Sequence, residues 1–330
     1  MNTGRIGVLL VNLGTPDGTD VPAIRRYLRE FLSDRRVIEV PKVIWWFILN
    51  LFIVTFRSPK TARAYAKIWR KESDESPLRY YTRQQGEALA ARFAGEGNVI
   101  VDWAMRYGKP SIPAQLTALK DAGAERILVF PLYPQYSATT TATVVDKVAD
   151  TLREMRWQPT LRFVPPYHDD PAYIDALAAS VRAAGLGSAS DGTVLLASFH
   201  GLPQAYFDKG DPYHCHCHKT AGLLRESLGL GPDGLRLSFQ SRFGPKAWLQ
   251  PYTDVTLEEL AAAGHTSVAV MTPGFASDCV ETLEEISIEG RATFMAAGGK
   301  DFHMLPCLND TTEHVDMLET ITRRELSGWL

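Results

Sequence analysis

The sequence predicts an α/β protein built as two Rossmann-like domains, each a doubly wound parallel sheet, with the active site in the cleft between them. Three observations carry that expectation. Apolar runs of strand length alternate with stretches of helical spacing along the whole chain, the pattern of a parallel sheet joined by crossover helices. The strands read as continuous apolar runs, as strands covered on both faces do. The pattern also repeats faintly. Val8-Leu9-Leu10 leads to Gly14-Thr15-Pro16 as Val194-Leu195-Leu196 leads to His200-Gly201-Leu202-Pro203. Likewise Ala122-Gly123 precedes Ile127–Phe130 and Pro131, and Ala263-Gly264 precedes Val268–Met271 and Pro273.

Taken in order, the first strand is Ile6–Leu13, followed by a Gly-Thr-Pro turn. A helix follows with Ile24, Tyr27, Leu28, Phe31 and Leu32 at core spacing, and Pro22 suits its first turn. Val43–Phe56 (VIWWFILNLFIVTF) has only Asn50 and Thr55 as polar residues. It falls short of the roughly 20 residues a membrane-spanning helix needs. Two readings stand: a buried helix, or an exposed apolar lip lying on a membrane surface, with Trp45 and Trp46 at the interface and Lys42, Arg57 and Lys60 toward headgroups. The near absence of a polar face favours the lip. Ser76-Pro77, Asp170-Pro171 and Asp310 with Glu313 read as capped helix starts. The later strands are Val99–Trp103, Arg126–Phe130, Thr160–Val164, Val194–Phe199, Leu235–Phe239 and Ser267–Met271, with helices opening at Thr139–Thr143 and about Lys219–Leu228. The expected domains are 1–165, carrying the lip at 43–60, and 166–308, with 309–330 a C-terminal helix packing back on the body.

A chain of 330 residues, 45% apolar and 22% charged, is an ordinary globular protein with ample core. Its net charge of −3, without a long basic run, gives a nucleic-acid partner no electrostatic support. Four cysteines (Cys215, Cys217, Cys279, Cys307) are too few and too uneven for a disulfide framework. The N-terminus lacks a signal-peptide layout, so a cytoplasmic protein is expected, with peripheral contact to the inner membrane through 43–57. Neither Gly14 nor Gly201 belongs to a G-x-G-x-x-G or Walker pattern, so no nucleotide cofactor is expected.

Four elements hold residues that can do chemistry. His200 closes an apolar strand, where side chains are presented to a cleft. After the strand Ser267–Met271, Ser277 reads as a helix cap, and Asp278, Glu281 and Glu285 at i, i+3, i+7 share a helical face. No lysine offsets that acidic row before Arg291. A solvated helix start explains such acids; so does a path for a divalent cation or protons facing a histidine, with oxygen and imidazole ligands suited to Fe2+ held weakly. The run His214-Cys215-His216-Cys217-His218 is spaced wrongly for a closed zinc site. It is either an accessory metal or cluster site, or a polar turn opening the next helix. Pro131–Ser137 places Tyr133 and Tyr136 among prolines, a rigid wall for an aromatic ligand, and the helix start after it could hold a propionate.

With these residues in view, the sequence resembles ferrochelatase, the enzyme family that inserts Fe2+ into a porphyrin. The matching stretches are VLLVNLGTP at 8–16, SPL at 76–78, FPLYPQYSATTT at 130–141, SFHGLP at 198–203, GDPY at 210–213, FQSRFGPKAWLQP at 239–251 and PGFASDCVETLEEI at 273–286. The resemblance implies a lyase of haem biosynthesis with the chelatase fold, inserting Fe2+ into a porphyrin to make haem; the apolar lip suits protoporphyrin IX as that porphyrin, with Fe2+ the other substrate. It implies His200 as the metal-binding, proton-accepting histidine and Glu281 as its carboxylate partner, with Asp278 and Glu285 continuing the path. Leu13, Arg70, Tyr136 and Trp248 fall in segments that line the porphyrin pocket. Two departures stand out. Cys279 occupies a position that is histidine in some members. The chain also ends on an amphipathic helix without cysteines, so the C-terminal [2Fe-2S] cluster of the animal enzymes is not expected. A monomer is expected. The competing readings are coproporphyrin as substrate, a sirohydrochlorin cobaltochelatase, and a non-enzymatic carrier of haem or metal.

Overall fold

The computed structural model describes residues 4–186 and 192–330, which fall into two compact units. Unit 1 comprises Met1–Leu132, Ser137–Pro165 and Leu318–Leu330; unit 2 comprises Tyr133–Tyr136 and Pro166–Met317. Each contains one four-stranded, all-parallel sheet.

In unit 1 the sheet order is β2-β1-β3-β4, from β1 (Arg5–Gly14), β2 (Val99–Tyr107), β3 (Ala124–Pro131) and β4 (Thr160–Phe163). The central strands are dry on both faces: Ile6, Val8–Val11 and Ile127–Phe130 expose nothing, which is why their sequences do not alternate. Helices α1 (Val21–Leu32), α4 (Pro77–Arg92), α5 (Ile112–Asp121) and α6 (Thr141–Glu154) accompany them. Asp20 caps α1 by accepting from the Ala23 N–H, and Ser76 caps α4 by accepting from the Arg79 N–H. Gly14 ends β1 at φ 122°, where an added Cβ would lie 1.8 Å from the Tyr107 carbonyl oxygen. Only glycine lets β1 and β2 run so close there.

Unit 2 repeats the order as β6-β5-β7-β8, from β5 (Val194–His200), β6 (Leu235–Gln240), β7 (Ser267–Met271) and β8 (Asp301–Met304). The faint sequence repeat is therefore a repeat of topology. Even the Ala-Gly pairs coincide: Gly123 and Gly264 sit at φ 93° and 92° just beyond the ends of α5 and α10 (Thr253–Ala262), each preceding the third strand of its sheet. The core of unit 2 gathers Leu196, Leu257, Leu260, Val268, Val270, Ile286, Phe294 and Phe302.

Several elements differ from the sequence expectation. Strand β8 is not foreseen, because it has four residues, two of them (Asp301 and His303) exposed, and pairs on one side only. The last helix, α12 (Thr312–Glu325), opens one residue later than expected: Thr311 Oγ1, not Asp310, accepts from the His314 N–H. The helix expected near Lys219 starts at Tyr213, giving α9 (Tyr213–Ser227), so the His/Cys run is helical.

The segment 43–56 is not a buried helix. After α2 (Lys42–Phe47) the chain winds as a π-helix over Ile48–Arg57 before α3 (Ser58–Ile68). Leu49 and Val54 turn inward, and Trp45 Nε1 donates to the Leu32 carbonyl. Val43, Ile44, Trp46, Phe47, Leu51, Phe52 and Phe56 are open to solvent, Val43 at 71% and Phe56 at 74%. Among the described residues no helix is long and apolar enough to cross a membrane.

Candidate active site

His200 is the last residue of β5, the second strand in its sheet, and pairs in register with Gln240 at the end of β6. Its Nδ1 lies 2.6 Å from the Gly201 carbonyl oxygen. A carbonyl can only accept, so Nδ1 carries the proton and Nε2 is left with a free lone pair. Gly201 is required by space: an added Cβ would stand 2.7 Å from the Gln240 carbonyl and 3.3 Å from the Trp248 ring.

The acidic motif lies beyond β7. Its helix is π-wound over Glu281–Gly290 and becomes α11 at Arg291–Ala296. The first helical turn opens at Val280, three residues beyond Ser277, the expected cap. In a helix bonded i to i+5, side chains four apart stay neighbours; Glu281 and Glu285 therefore remain together. Glu285 is held by Ser241, whose N–H and hydroxyl donate to its two oxygens at 2.6 and 2.5 Å. Ser241 adopts φ 66° to aim that N–H, a costly backbone for a non-glycine residue. Burial pushes the Glu285 carboxyl above its ordinary range, opposed by the Ser241 bonds and the nearby His200 and aided by Glu281. His200 and Glu281 both lie close enough to the Glu285 carboxyl to act on it.

Asp278 is placed differently from its expected position on a shared face. It is buried ahead of the helix. Its oxygens accept from Thr282 Oγ1 (3.0 Å), Asn309 Nδ2 (2.7 Å) and the Cys307 N–H (3.3 Å). Its own N–H donates to Asn309 Oδ1. Cys279 is buried next to it, and its thiol donates to Glu281; burial pushes that thiol up, so it stays protonated.

A second set of residues is not foreseen from spacing. Gln240 Nε2 donates to the Glu281 carbonyl at 2.8 Å, pinning the first turn of the π-helix to β6. Gln240 Oε1 accepts from Ser198, which shares a buried hydroxyl chain with Thr253 and Ser238, each step 2.8 Å. The available signal is position: Gln240-Ser241 ends an apolar strand, as His200 does.

Of the expected pocket residues, Tyr136 and Trp248 are half-buried in unit 2. The Tyr136 N–H donates to His216 Nδ1 at 3.2 Å, and Trp248 Nε1 donates to the Phe243 carbonyl at 2.9 Å. Leu13 and Arg70 are half-buried in unit 1; the Arg70 guanidinium lies 3.7 Å over the Tyr80 ring. On α9, His214, Cys215, His216, Cys217 and His218 point in different directions: Cys217 is buried, Cys215 and His218 are exposed. Among the described residues no three His, Cys, Asp or Glu side chains converge to hold a metal ion.

Comparison with known proteins covers the whole chain. A family profile described as Ferrochelatase matches residues 5–326. The chain is 58% identical to a ferrochelatase of Rhizobium meliloti (strain 1021), over 99% of this chain and 96% of that one. It is 57% identical to a ferrochelatase of Agrobacterium fabrum, over 99% and 95%. Among solved structures, SirB from Bacillus subtilis with Fe3+ shares the fold (TM-score 0.59, 13% identity, 98% of each chain). So does CbiX, described as the terminal enzyme for siroheme biosynthesis in denitrifying bacteria (TM-score 0.51, 16% identity, 96% and 98%).

Proposed function

The chain belongs to the ferrochelatase family, and from that premise we propose that His200 and Glu281 carry its reaction. It is a metal chelatase that inserts Fe2+ into a porphyrin in haem synthesis. A cobaltochelatase and a non-enzymatic carrier are not favoured. As Fe2+ enters the ring, two pyrrole N–H protons must leave. A ring held bent exposes its nitrogen lone pairs to the metal, and a site complementary to that form lowers the barrier.

The observation that carries the assignment is the 2.6 Å contact between His200 Nδ1 and the Gly201 carbonyl oxygen, from which the tautomer follows. With Nδ1–H given to Gly201, Nε2 is the acceptor for a pyrrole proton or a ligand for the arriving iron. Glu281 meets the iron as an oxygen ligand, oriented by Gln240 through its backbone and by the Cys279 thiol at its side chain. Glu285, its carboxyl raised by burial, is suited to take up a proton and pass it outward. Asp278 serves this path from behind, by fixing the segment that launches the π-helix. Leu13, Tyr136 and Trp248 supply apolar and aromatic contact to the macrocycle, and Arg70 a guanidinium for a propionate.

The test is steady-state kinetics under anaerobic conditions. H200A is expected to lower kcat by about 10²–10⁴-fold, the usual worth of a positioned base. E281Q is expected to lower kcat with little change in KM for porphyrin. Near wild-type turnover by H200A would remove the assignment. Protoporphyrin IX is the preferred substrate in this reading, because the solvent-open row around Trp46, Phe52 and Phe56 suits delivery of an apolar ring from a membrane surface.

A further inference from the structure

Helix α9 sorts the His/Cys run by direction. Tyr213 and Cys217 turn into the core. His216 is already engaged: its ring stacks on His168 at 3.6 Å and 5°, and its Nδ1 accepts the Tyr136 N–H. Cys215 is exposed, one residue round the helix. His214 and His218 remain, one turn apart on one face, with ring centroids 4.4 Å from each other.

Neither of these imidazoles has a hydrogen-bond partner among the described residues. Their orientation comes from aromatic packing. His214 stacks on Phe239 (5.7 Å, 20°) and meets the edge of Phe207 (5.1 Å), while His218 also lies 6.5 Å from Phe239 and is open to solvent. Burial lowers both imidazoles below their ordinary range, and for His218 the neighbouring His214 adds to it. An imidazole without a protein hydrogen-bond partner keeps a ring-nitrogen lone pair available to a metal when neutral.

We propose that His214 and His218 form a bidentate imidazole site for a borderline divalent cation such as Zn2+, Co2+ or Ni2+. Two histidines at i, i+4 on one helical face present their nitrogens to a common point, and imidazole suits these metals. Water fills the remaining positions, since no third protein ligand converges there among the described residues. The site is thus open and exchangeable rather than a closed structural one. It narrows the five-residue run to two ligands, removes Cys215 and Cys217 from the set, and stands independently of the role given to His200.

The experiment is a Co2+ titration of the full chain, followed by equilibrium dialysis and visible absorption, in an H200A background that removes the proposed substrate ligand. One bound equivalent is expected in H200A. It should be lost in H200A/H218Q and in H200A/H214Q, and kept in H200A/C215S. An H200A/H218Q protein that binds the same equivalent with the same affinity overturns the site, as does its loss in H200A/C215S. His218 is exposed, so H218Q stands as the decisive variant if H214Q disturbs the aromatic cluster. A second readout is thermal: Zn2+ should raise the Tm of the H200A protein and leave H200A/H218Q unmoved.

Discussion

Glu285 receives two hydrogen bonds from Ser241, yet burial still leaves its carboxyl raised. The folded chain then holds that proton to a higher pH than the unfolded chain does. The stability tied to it is complete below the ordinary glutamate range and is lost as pH rises through the raised value. E285Q is accordingly expected to raise Tm relative to the unsubstituted chain at about pH 8, with the gain shrinking toward about pH 4. A gain that grows on acidification would contradict the burial argument. His314 acts with opposite sign. It is fully buried, its Nδ1–H donates to the Asn309 carbonyl at 2.6 Å, and burial lowers it from 6.5 to about 4. Between those values the unfolded chain binds the extra proton, so stability rises with pH across that window. H314Q should flatten the pH dependence of the urea midpoint there. Asn309 receives its importance from both sides, holding Asp278 through its side chain and His314 through its carbonyl.

At the scale of elements, the lip and the acidic segment are both π-wound, Ile48–Arg57 and Glu281–Gly290. The periodicity of the sequence places Asp278, Glu281 and Glu285 on one α-helical face; the helix opens only at Val280, so Asp278 lies ahead of it, and the π-winding keeps the other two together. Spacing cannot reveal winding, because it depends on which backbone bonds the surrounding structure permits. The lip is a clearer case. Its apolar residues are plain in the sequence, but their exposure is a tertiary fact. Trp46 and Phe52 are each 58% exposed, so the W46S/F52S double variant should leave Tm unchanged while reducing co-sedimentation with liposomes. With liposomes present it should also lose rate with protoporphyrin more than with coproporphyrin, the more water-soluble ring. Equal membrane binding by the variant would discard the lip's proposed role.

At the scale of the molecule, the two units share one strand order, with β1 and β5 each flanked on both sides by parallel partners. A cavity in either sheet should cost what a dry core costs. Leu10 is wholly buried in β1, and L10A is expected to lose about 2–5 kcal/mol. Tryptophan fluorescence will read that loss in urea, because Trp45, Trp46, Trp69, Trp103, Trp157 and Trp329 all lie in unit 1 and Trp248 alone lies in unit 2. A midpoint left unchanged would show that the β1 core is not as closely packed as its burial indicates.

Much of this was legible in the chain itself. Doubly wound sheets follow from unbroken apolar runs such as Ile6–Leu13, since a strand covered on both faces admits no alternation. The repeat followed from Ala-Gly pairs at equivalent helix ends, because only glycine takes φ near 90° cheaply. His200 and Glu281, proposed above as the reacting pair, stand out in the sequence by their places at and beyond strand ends and by the resemblance of their motifs. What only the tertiary structure decided are the partners. It turned Asp278 toward Asn309 and Thr282, gave Glu285 to Ser241, tied Glu281 to Gln240, and exposed the lip. It also started α9 early enough to bring His214 and His218 onto one face. The reason is physical: patterns of period two or near four report which face of an element is buried, whereas hydrogen bonds between residues 30 or 40 apart depend on how the elements dock.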